Sequence, residues 1–250
     1  RTARGLALTA AGTALVTEAA HLISTTRAAV TAVRGVNEEA RRRVRIGVSE
    51  FSMWSVLMPH LNDFRARHPE FEWVIREIGA ETPLDALHAG EIDLGVCREP
   101  LPQEALLHRY RLTAVLLARD EVALALPAAH ALSHRSAIGL ADLAGEPMVT
   151  LADDTSDFQR YLTGCCAAAG FLPRVRHQAD KQQIVLALVG HNMGIGLMPA
   201  SLSAIGWPGV VFKRLRDAPP ANVYAVHSLR NRAAPLRALL ELLPQPFGPS

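Results

Sequence analysis

The chain has 250 residues, of which 49% are hydrophobic and 20% are charged, and its formal net charge is +2. These values are typical of a globular protein with a large core. A net charge this small produces no overall positive field that would attract nucleic acid. No run reaches the roughly eighteen apolar residues that a membrane-spanning helix needs. The first residues, RTARGLALTAAG, lack an initiator methionine and the apolar segment of a secretory signal. We therefore expect a fragment of a cytoplasmic protein.

A long helix is predicted after Thr9, a residue type that caps helix N-termini well. Apolar or small residues then recur at alternating four- and three-residue steps: Leu15, Ala19, Leu22, Thr26, Val30 and Val33. This spacing produces one narrow apolar seam along the helix, which is typical of helices that pair with each other. The pattern favours a dimerisation helix over an extra helix packed on a globular domain.

Two segments combine the end of a helix, a glycine and a short apolar strand. They are DALHAGEIDLGV (85–96), with Gly90, and LALVGHNMGIGLMP (186–199), in which Gly190 is expected to end the helix in the left-handed conformation. A phosphate-binding loop needs the opposite order, in which glycines follow a strand and precede a helix. The two segments therefore predict two similar α/β lobes and no nucleotide cofactor.

Strands and helices alternate through the rest of the chain. Strands are predicted at 44–49, 71–78, 92–96, 114–118, 122–127, 147–151, 173–178, 194–199, 210–215 and 222–227, and helices around 54–68, before Gly90, and around 158–169, 181–190 and 235–243. Such alternation is typical of the α/β class and favours parallel sheets.

Cysteine and histidine patterns give no sign of a metal site or a catalytic site. Cys97, Cys165 and Cys166 are too few for a disulfide framework, and buried thiols are favoured over a redox sensor. His130 and His134 have a spacing that zinc sites use, but they lack an adjacent glutamate and a third ligand. No Ser–His–Asp or Cys–His set has a supporting context, so no catalytic residue is predicted.

Candidate ligand-binding residues follow the predicted strands of the first lobe, because open α/β lobes bind ligands beyond the carboxyl ends of their strands. Ser49 and Ser52 follow the strand 44–49, and Thr82 opens the next helix. Their hydroxyls are suited to hold a carboxylate, although Ser52 and Thr82 could instead simply cap the helices that they precede. Phe51, in the same loop as the serines, could cover an apolar ring or chain of the ligand.

Arg98 directly follows the strand IDLGVC, and its guanidinium suits a carboxylate in a bidentate arrangement. The alternative is an ion pair with Glu99 or Asp93 at the rim. The positive charge of Arg98 and the predicted helix N-termini favour an anionic ligand, and together with Phe51 they predict an organic acid.

On the second lobe, three residues lie near the starts of helices and are candidates for the same site. Asp153 and Phe158 flank the helix that follows PMVTL, and Lys181 starts the helix that follows HQAD. Phe158 could instead belong to the core, which is the usual place of a helical aromatic residue. Glu50 would repel an anion unless it points away or pairs with Lys181.

Six blocks, in this order, resemble a LysR-type transcriptional regulator over essentially the whole chain. They are LTAAG (8–12), RVRIGVS (43–49), PHLNDFRARHPE (59–70), LHAGEIDLGV (87–96), LPAAHALSHRSAIGLADLAGEP (126–147) and LVGHNMGIGLMPAS (188–201). Each block is loose by itself, and the specificity lies in their combination.

The resemblance implies a domain order. Residues 1–8 would be the remnant of the wing of a winged helix-turn-helix, 9–42 a linker and dimerisation helix, and 43–250 an effector-binding domain. That domain would consist of two Rossmann-like lobes like those of type 2 periplasmic binding proteins, with lobe I at 43–118 and 220–250 and lobe II at 119–219.

The resemblance also implies a function. A small effector would bind between the lobes, the assembly would be a homotetramer, and the full-length protein would bind DNA, with Arg1 and Arg4 as the cations of this chain nearest to it. No membrane partner is implied. Two other classes share the fold: a solute-binding protein of a transport system, which would need a signal peptide and no pairing seam, and, in third place, an enzyme.

Overall fold

The computed structural model describes residues 9, 11–12, 15, 19, 22–23, 25–27, 42–48, 54–78, 83–100, 104–152 and 156–244. The strands are β1 (Arg43–Val48), β2 (Glu72–Glu77), β3 (Leu94–Arg98), β4 (Leu112–Ala118), β5 (Val122–Pro127), β6 (Pro147–Leu151), β7 (Arg174–Ala179), β8 (Gly196–Pro199), β9 (Val210–Arg214) and β10 (Val223–Ser228). The α-helices are α1 (Trp54–Arg67), α2 (Pro83–His88), α3 (Glu104–Tyr110), α4 (Asp157–Ala168), α5 (Gln182–Gly190) and α6 (Ala234–Leu240). No helix among these residues is long and apolar enough to cross a bilayer.

The first lobe is built on a five-stranded sheet with the strand order β2-β1-β3-β10-β4. β1 is parallel to both β2 and β3, whereas β10 is antiparallel to both of its neighbours, β3 and β4. One face of the sheet packs against apolar side chains of α1 and α6, and the other face packs against those of α2 and α3. Both faces are therefore covered, which explains why Ile46, Gly47 and Val48 of β1 and Leu94, Gly95 and Val96 of β3 form buried runs without a polar side chain.

The second lobe has an antiparallel sheet with the order β8-β5-β9 and a parallel pair formed by β6 and β7. A β-bridge between Met148 of β6 and Ile195, the residue before β8, connects this parallel pair to the antiparallel sheet. α4 contributes Phe158 and Leu162 to one apolar cluster of this lobe, and α5 contributes residues such as Val185 to the other.

The α/β class predicted from the alternation of elements is confirmed, but the expectation of parallel sheets holds only in part. Among the strands of the described residues, β1 is parallel to β2 and β3, and β6 is parallel to β7, whereas the other paired strands are antiparallel. The chain leaves the first lobe after β4 and returns as β10, so β10 enters that sheet from the direction of the second lobe. The inference of parallel sheets from alternating strands and helices assumes that a helix connects each strand to its parallel neighbour. A strand that returns from the other lobe needs no such helix and can therefore pair antiparallel.

Gly190 does not adopt the left-handed conformation expected of it. It is the last residue of α5, and the positive φ angles that follow belong to Asn192 (62°) and Gly194 (149°). Gly190 is required for a different reason, because a Cβ atom there would lie 2.6 Å from the carbonyl oxygen of Pro208. Gly90, in contrast, has a φ of 67° just beyond α2, as a glycine that ends a helix commonly does.

The described residues between 11 and 27 are helical, and the amide of Gly12 donates to Oγ1 of Thr9 over 3.1 Å, which confirms the predicted N-cap. Leu15 and Leu22, two members of the predicted seam, are 70% and 66% exposed. Val30 and Val33, and the predicted wing remnant 1–8 with Arg1 and Arg4, lie outside the described residues. The pairing role of this helix stays a prediction.

Candidate ligand-binding cleft

The carboxyl ends of the parallel strands in the first lobe lie at one edge of the sheet. β1 and β2 end side by side, and the amide of Ile78 donates to the carbonyl of Val48 over 2.8 Å. The loops that leave these strands contain Ser49, Phe51, Ser52 and Thr82, which lie outside the described residues.

The second lobe presents a similar edge, where β6 and β7 end in parallel. The amide of Ala152 donates to the carbonyl of Ala179 over 3.1 Å, beyond the last pair of the ladder. α4 begins at this edge with Ser156 as its N-cap, and α5 begins with Lys181 at the N-cap position, as the sequence predicts. Asp153 belongs to the loop between β6 and α4 and lies outside the described residues.

An ion pair joins the two edges. Nζ of Lys181, at the start of α5, donates to Oε1 of Glu77, the last residue of β2. The side chains are 47% and 60% exposed, so the pair is accessible to solvent where the two lobes approach each other. The carboxyl edges of the two lobes therefore face each other, which is the arrangement in which open α/β lobes bind ligands.

The sequence offered Glu50 as a partner of Lys181, and Glu50 lies outside the described residues. Glu77 was missed, although it lies within one residue of the end of the strand predicted at 71–78. The rule that placed Arg98 at the carboxyl edge could have found Glu77.

Phe158 is in the hydrophobic core, the alternative that the sequence left open. It is 3% exposed and packs with Leu162 and Cys166, and its ring lies 6.2 Å from that of Tyr161. It stabilises the attachment of α4 to the second lobe and does not offer a surface to a ligand.

Arg98 ends β3, but its guanidinium does not face the gap between the lobes. Its side chain is 1% exposed, and its Nη1 atom lies 2.7 Å from Oδ2 of Asp120 and also donates to the carbonyl of Ala221. The partner is neither of the two acids that the sequence suggested as alternatives. Asp93 forms its ion pair with Arg45 at 2.9 Å, and Glu99 accepts a hydrogen bond from the hydroxyl of Tyr224 at 2.7 Å.

Glu99 is held by side chains at the start of the returning strand, and a tyrosine of the second lobe bonds to the segment just before that strand. Its Oε1 atom accepts from the hydroxyl of Tyr224 and, at 3.3 Å, from Nδ2 of Asn222, while the hydroxyl of Tyr161 on α4 donates to the carbonyl of Pro220 over 3.0 Å. Burial raises the pKa of Tyr161 and of Tyr224, and for Tyr224 the hydrogen bond to Glu99 raises it further. Both phenols are therefore protonated donors at neutral pH. No sequence pattern brought these residues together.

The protein-family model of the LysR substrate binding domain matches residues 37–247 of this chain. The chain belongs to the LysR substrate-binding domain family.

Among relatives, the LysR domain and its N-terminal helix are 27% identical over 245 residues to the HTH-type transcriptional regulator XapR of Escherichia coli (strain K12), covering 98% of this chain and 81% of XapR. Among solved structures, the chain is similar to the BenM effector-binding domain with its effector benzoate, at a TM-score of 0.68 and 22% identity, with 80% of this chain and 89% of that one covered. The effector-binding domain of QuiR in complex with shikimate has a TM-score of 0.68 at 16% identity, with 80% and 94% covered.

This LysR domain is thus the regulatory, effector-binding part of a LysR-type transcriptional regulator, as its motifs implied. The family match gives no support to the alternative of a transport-system binding protein. XapR, the relative named above, is an HTH-type transcriptional regulator.

In the LysR domain, Cys166 is buried in the core and His130 caps a short helix. Burial raises the pKa of the Cys166 thiol to about 11, so it is a poor nucleophile at neutral pH. Nδ1 of His130 accepts from the amide of Leu132 over 3.2 Å at the start of a short 3-10 helix. Among the described residues, no group of three or more histidines, cysteines and acids could hold a metal ion.

Proposed function

We propose that the gap between the two lobes binds a small organic acid and that this binding regulates the DNA affinity of the whole protein. The observation that carries the proposal is the ion pair between Lys181 and Glu77, which sets a cation opposite a carboxylate across the gap. A ligand carboxylate can take the place of the Glu77 side chain, because both present the same acceptor to the ammonium group.

The surroundings of Lys181 suit an anion. It is the N-cap residue of α5, and the unpaired amides and the dipole at a helix N-terminus favour negative charge. We assign the hydroxyls of Ser49, Ser52 and Thr82 to the opposite wall, since they follow β1 and β2, and Phe51 to an apolar part of the ligand. Asp153, in the loop before α4, would meet a ligand hydroxyl or amide.

Lys181 replaces Arg98 in this assignment as the cation that a ligand meets. The Arg98 guanidinium already has a carboxylate partner in Asp120 and is almost inaccessible to solvent. Benzoate and shikimate, the molecules bound to BenM and QuiR in the structures that resemble this one, are both carboxylates, which supports an organic acid as the ligand class.

We expect organic acids, with benzoate and shikimate as the first probes, to raise the melting temperature, because a ligand that binds only the folded state stabilises it. Lys181→Met should weaken the binding of a carboxylate that passes this screen by about five- to thirtyfold, the loss of a charge-assisted hydrogen bond that is partly screened by water. Thermal shift over carboxylates, amines and neutral metabolites, followed by calorimetry, measures both effects.

Lys213→Met is the matched control, because Lys213 lies on β9, away from the gap, and its removal should leave the affinity unchanged. Glu77→Gln should tighten carboxylate binding, since it removes the negative charge that competes with the ligand for Lys181. Binding of amines or neutral compounds alone, or an affinity that Lys181→Met does not change, would show that the site is not an anion site.

The proposal extends to the whole regulator. The ligand would shift the population of lobe arrangements, and the change in subunit packing would move the DNA-binding domains. We place the protein in the cytoplasm as a homotetramer, with the N-terminal helix as the pairing element and with Arg1 and Arg4 near the DNA. The apolar residues that this helix leaves exposed, such as Leu15 and Leu22, support the pairing.

Leu22→Glu should dissociate the helix pair, because it places a charge in the apolar seam. Sedimentation velocity at micromolar concentration would show a smaller species. The matched control is Ile23→Glu, a neighbouring apolar residue that is 54% exposed and lies off the seam. An oligomer that Leu22→Glu leaves intact would rule out pairing through the seam.

A further inference from the structure

Two segments connect the lobes, 119–121 between β4 and β5 and 215–222 between β9 and β10, and both meet at Arg98. Nη1 of Arg98 donates to Oδ2 of Asp120 in the first segment, at 2.7 Å, and to the carbonyl of Ala221 in the second. Arg98 itself ends β3 and belongs to the sheet of the first lobe. One side chain of the first lobe therefore contacts both connections to the second.

The two segments also bond to each other. The amide of Ala221 donates to the carbonyl of Asp120 over 2.8 Å, and the amide of Asp120 donates to Oδ1 of Asn222 over 3.2 Å. The amide of Val122 adds a third bond, to the carbonyl of Pro219 over 2.9 Å. The segments thus form a short two-stranded connection.

Asp120 extends the network into the second lobe. Its Oδ1 atom accepts from the amide of Ser201 over 3.2 Å, and Ser201 lies in the 3-10 helix Ala200–Ile205 of that lobe. The carboxylate is bonded on one side to Arg98 and on the other to Ser201, so rotating one lobe against the other strains one of the two bonds. The Arg98 and Asp120 side chains are 1% and 8% exposed, and water does not readily replace either bond.

We propose that Arg98 and Asp120 form a hinge clamp, which makes the two connecting segments move as one unit and holds the lobes in one relative orientation. The clamp acts on the protein without ligand, so the inference does not depend on what the cleft binds. It gives the buried Arg98 a role other than contact with the effector.

Hydrogen exchange of the protein without ligand tests the clamp, with mass spectrometry of peptides from both segments. Asp120→Asn keeps the size of the side chain but removes its charge and gives Arg98 a poorer acceptor. We expect exchange in both segments, and at Ser201, to become about tenfold faster or more, the factor that corresponds to one lost charge-assisted bond. Peptides from the middle of β1 should not change.

Asp93→Asn is the matched control, because Asp93 is nearly as buried as Asp120 and forms its ion pair with Arg45 where β1 and β3 begin, away from the connecting segments. Its effect should be confined to the region where β1 and β3 begin. Arg98→Lys serves as a second variant that keeps the buried charge, and it should accelerate both segments by a smaller factor. Acceleration in one segment alone, equal acceleration throughout the protein, or no acceleration in either variant would overturn the clamp.

Discussion

Asp120→Ala is expected to lower the free energy of unfolding by about 3–5 kcal/mol, because it leaves a buried guanidinium without its carboxylate. The Arg98 side chain is 1% exposed, so water cannot solvate the charge that remains. The substitution also removes the acceptor of the Glu121 and Ser201 amides. Urea denaturation followed by circular dichroism measures the loss.

Two comparisons separate this effect from a general cost of losing a salt bridge. Glu72→Ala breaks the Arg43–Glu72 pair, whose 2.7 Å contact is as short but whose side chains are 50% and 66% exposed, and it should cost at most about 1 kcal/mol. The double variant Arg98→Met with Asp120→Leu should be less destabilised than Asp120→Ala, because it leaves no unpaired charge. If Asp120→Ala is no more costly than Glu72→Ala, the buried pair does not contribute as its burial indicates.

Gly194→Ala should destabilise the second lobe by about 1–3 kcal/mol, the range for a residue held in a sparsely populated backbone conformation. Gly194 has a φ of 149°, and a Cβ atom at this position would lie 2.6 Å from the carbonyl oxygen of Pro147. That carbonyl accepts from the amide of Ile195 over 2.9 Å, in the bridge that connects β6 to the segment before β8. A methyl group would force the bridge apart.

Gly164→Ala is the control for this substitution. Gly164 lies within α4, and a Cβ atom there would meet nothing within 4 Å, so alanine should stabilise the helix by about 0.5–1 kcal/mol. Chemical denaturation of both variants should give changes of opposite sign. A loss at both glycines, or no loss for Gly194→Ala, would contradict the account of the bridge.

Features that depend on a few neighbouring residues could be predicted from the sequence. Thr9 caps the N-terminal helix and Lys181 starts α5, as expected, since a cap is determined by the side chain and the three or four residues after it. The buried strands were found for a similar reason, because short apolar runs bounded by turn residues are local patterns. The six motif blocks and their order predicted the LysR family, and the match to the LysR substrate binding domain confirms that prediction.

The two helix–glycine–strand units show where local patterns stop being sufficient. Gly90 and Gly190 occupy the same place in their patterns, yet only Gly90 has a positive φ. Gly190 is glycine because the Pro208 carbonyl, 18 positions along the chain, approaches it. The strands that follow also differ, since β3 is parallel to its neighbour β1 and β8 is antiparallel to β5.

The sequence by itself determined most of the strands and helices, though not α3 (Glu104–Tyr110). It also determined that they belong to the α/β class and that polar residues such as Arg98 and Lys181 stand at strand and helix ends. Only the tertiary structure decided what those residues contact. Arg98 pairs with Asp120, 22 residues away, and contacts Ala221 at a separation of 123, while Lys181 meets Glu77 across 104 residues. Caps, periodicity and turn preferences act over a few residues, whereas the choice of an ion-pair partner follows from strand order and from the way the chain crosses twice between the lobes.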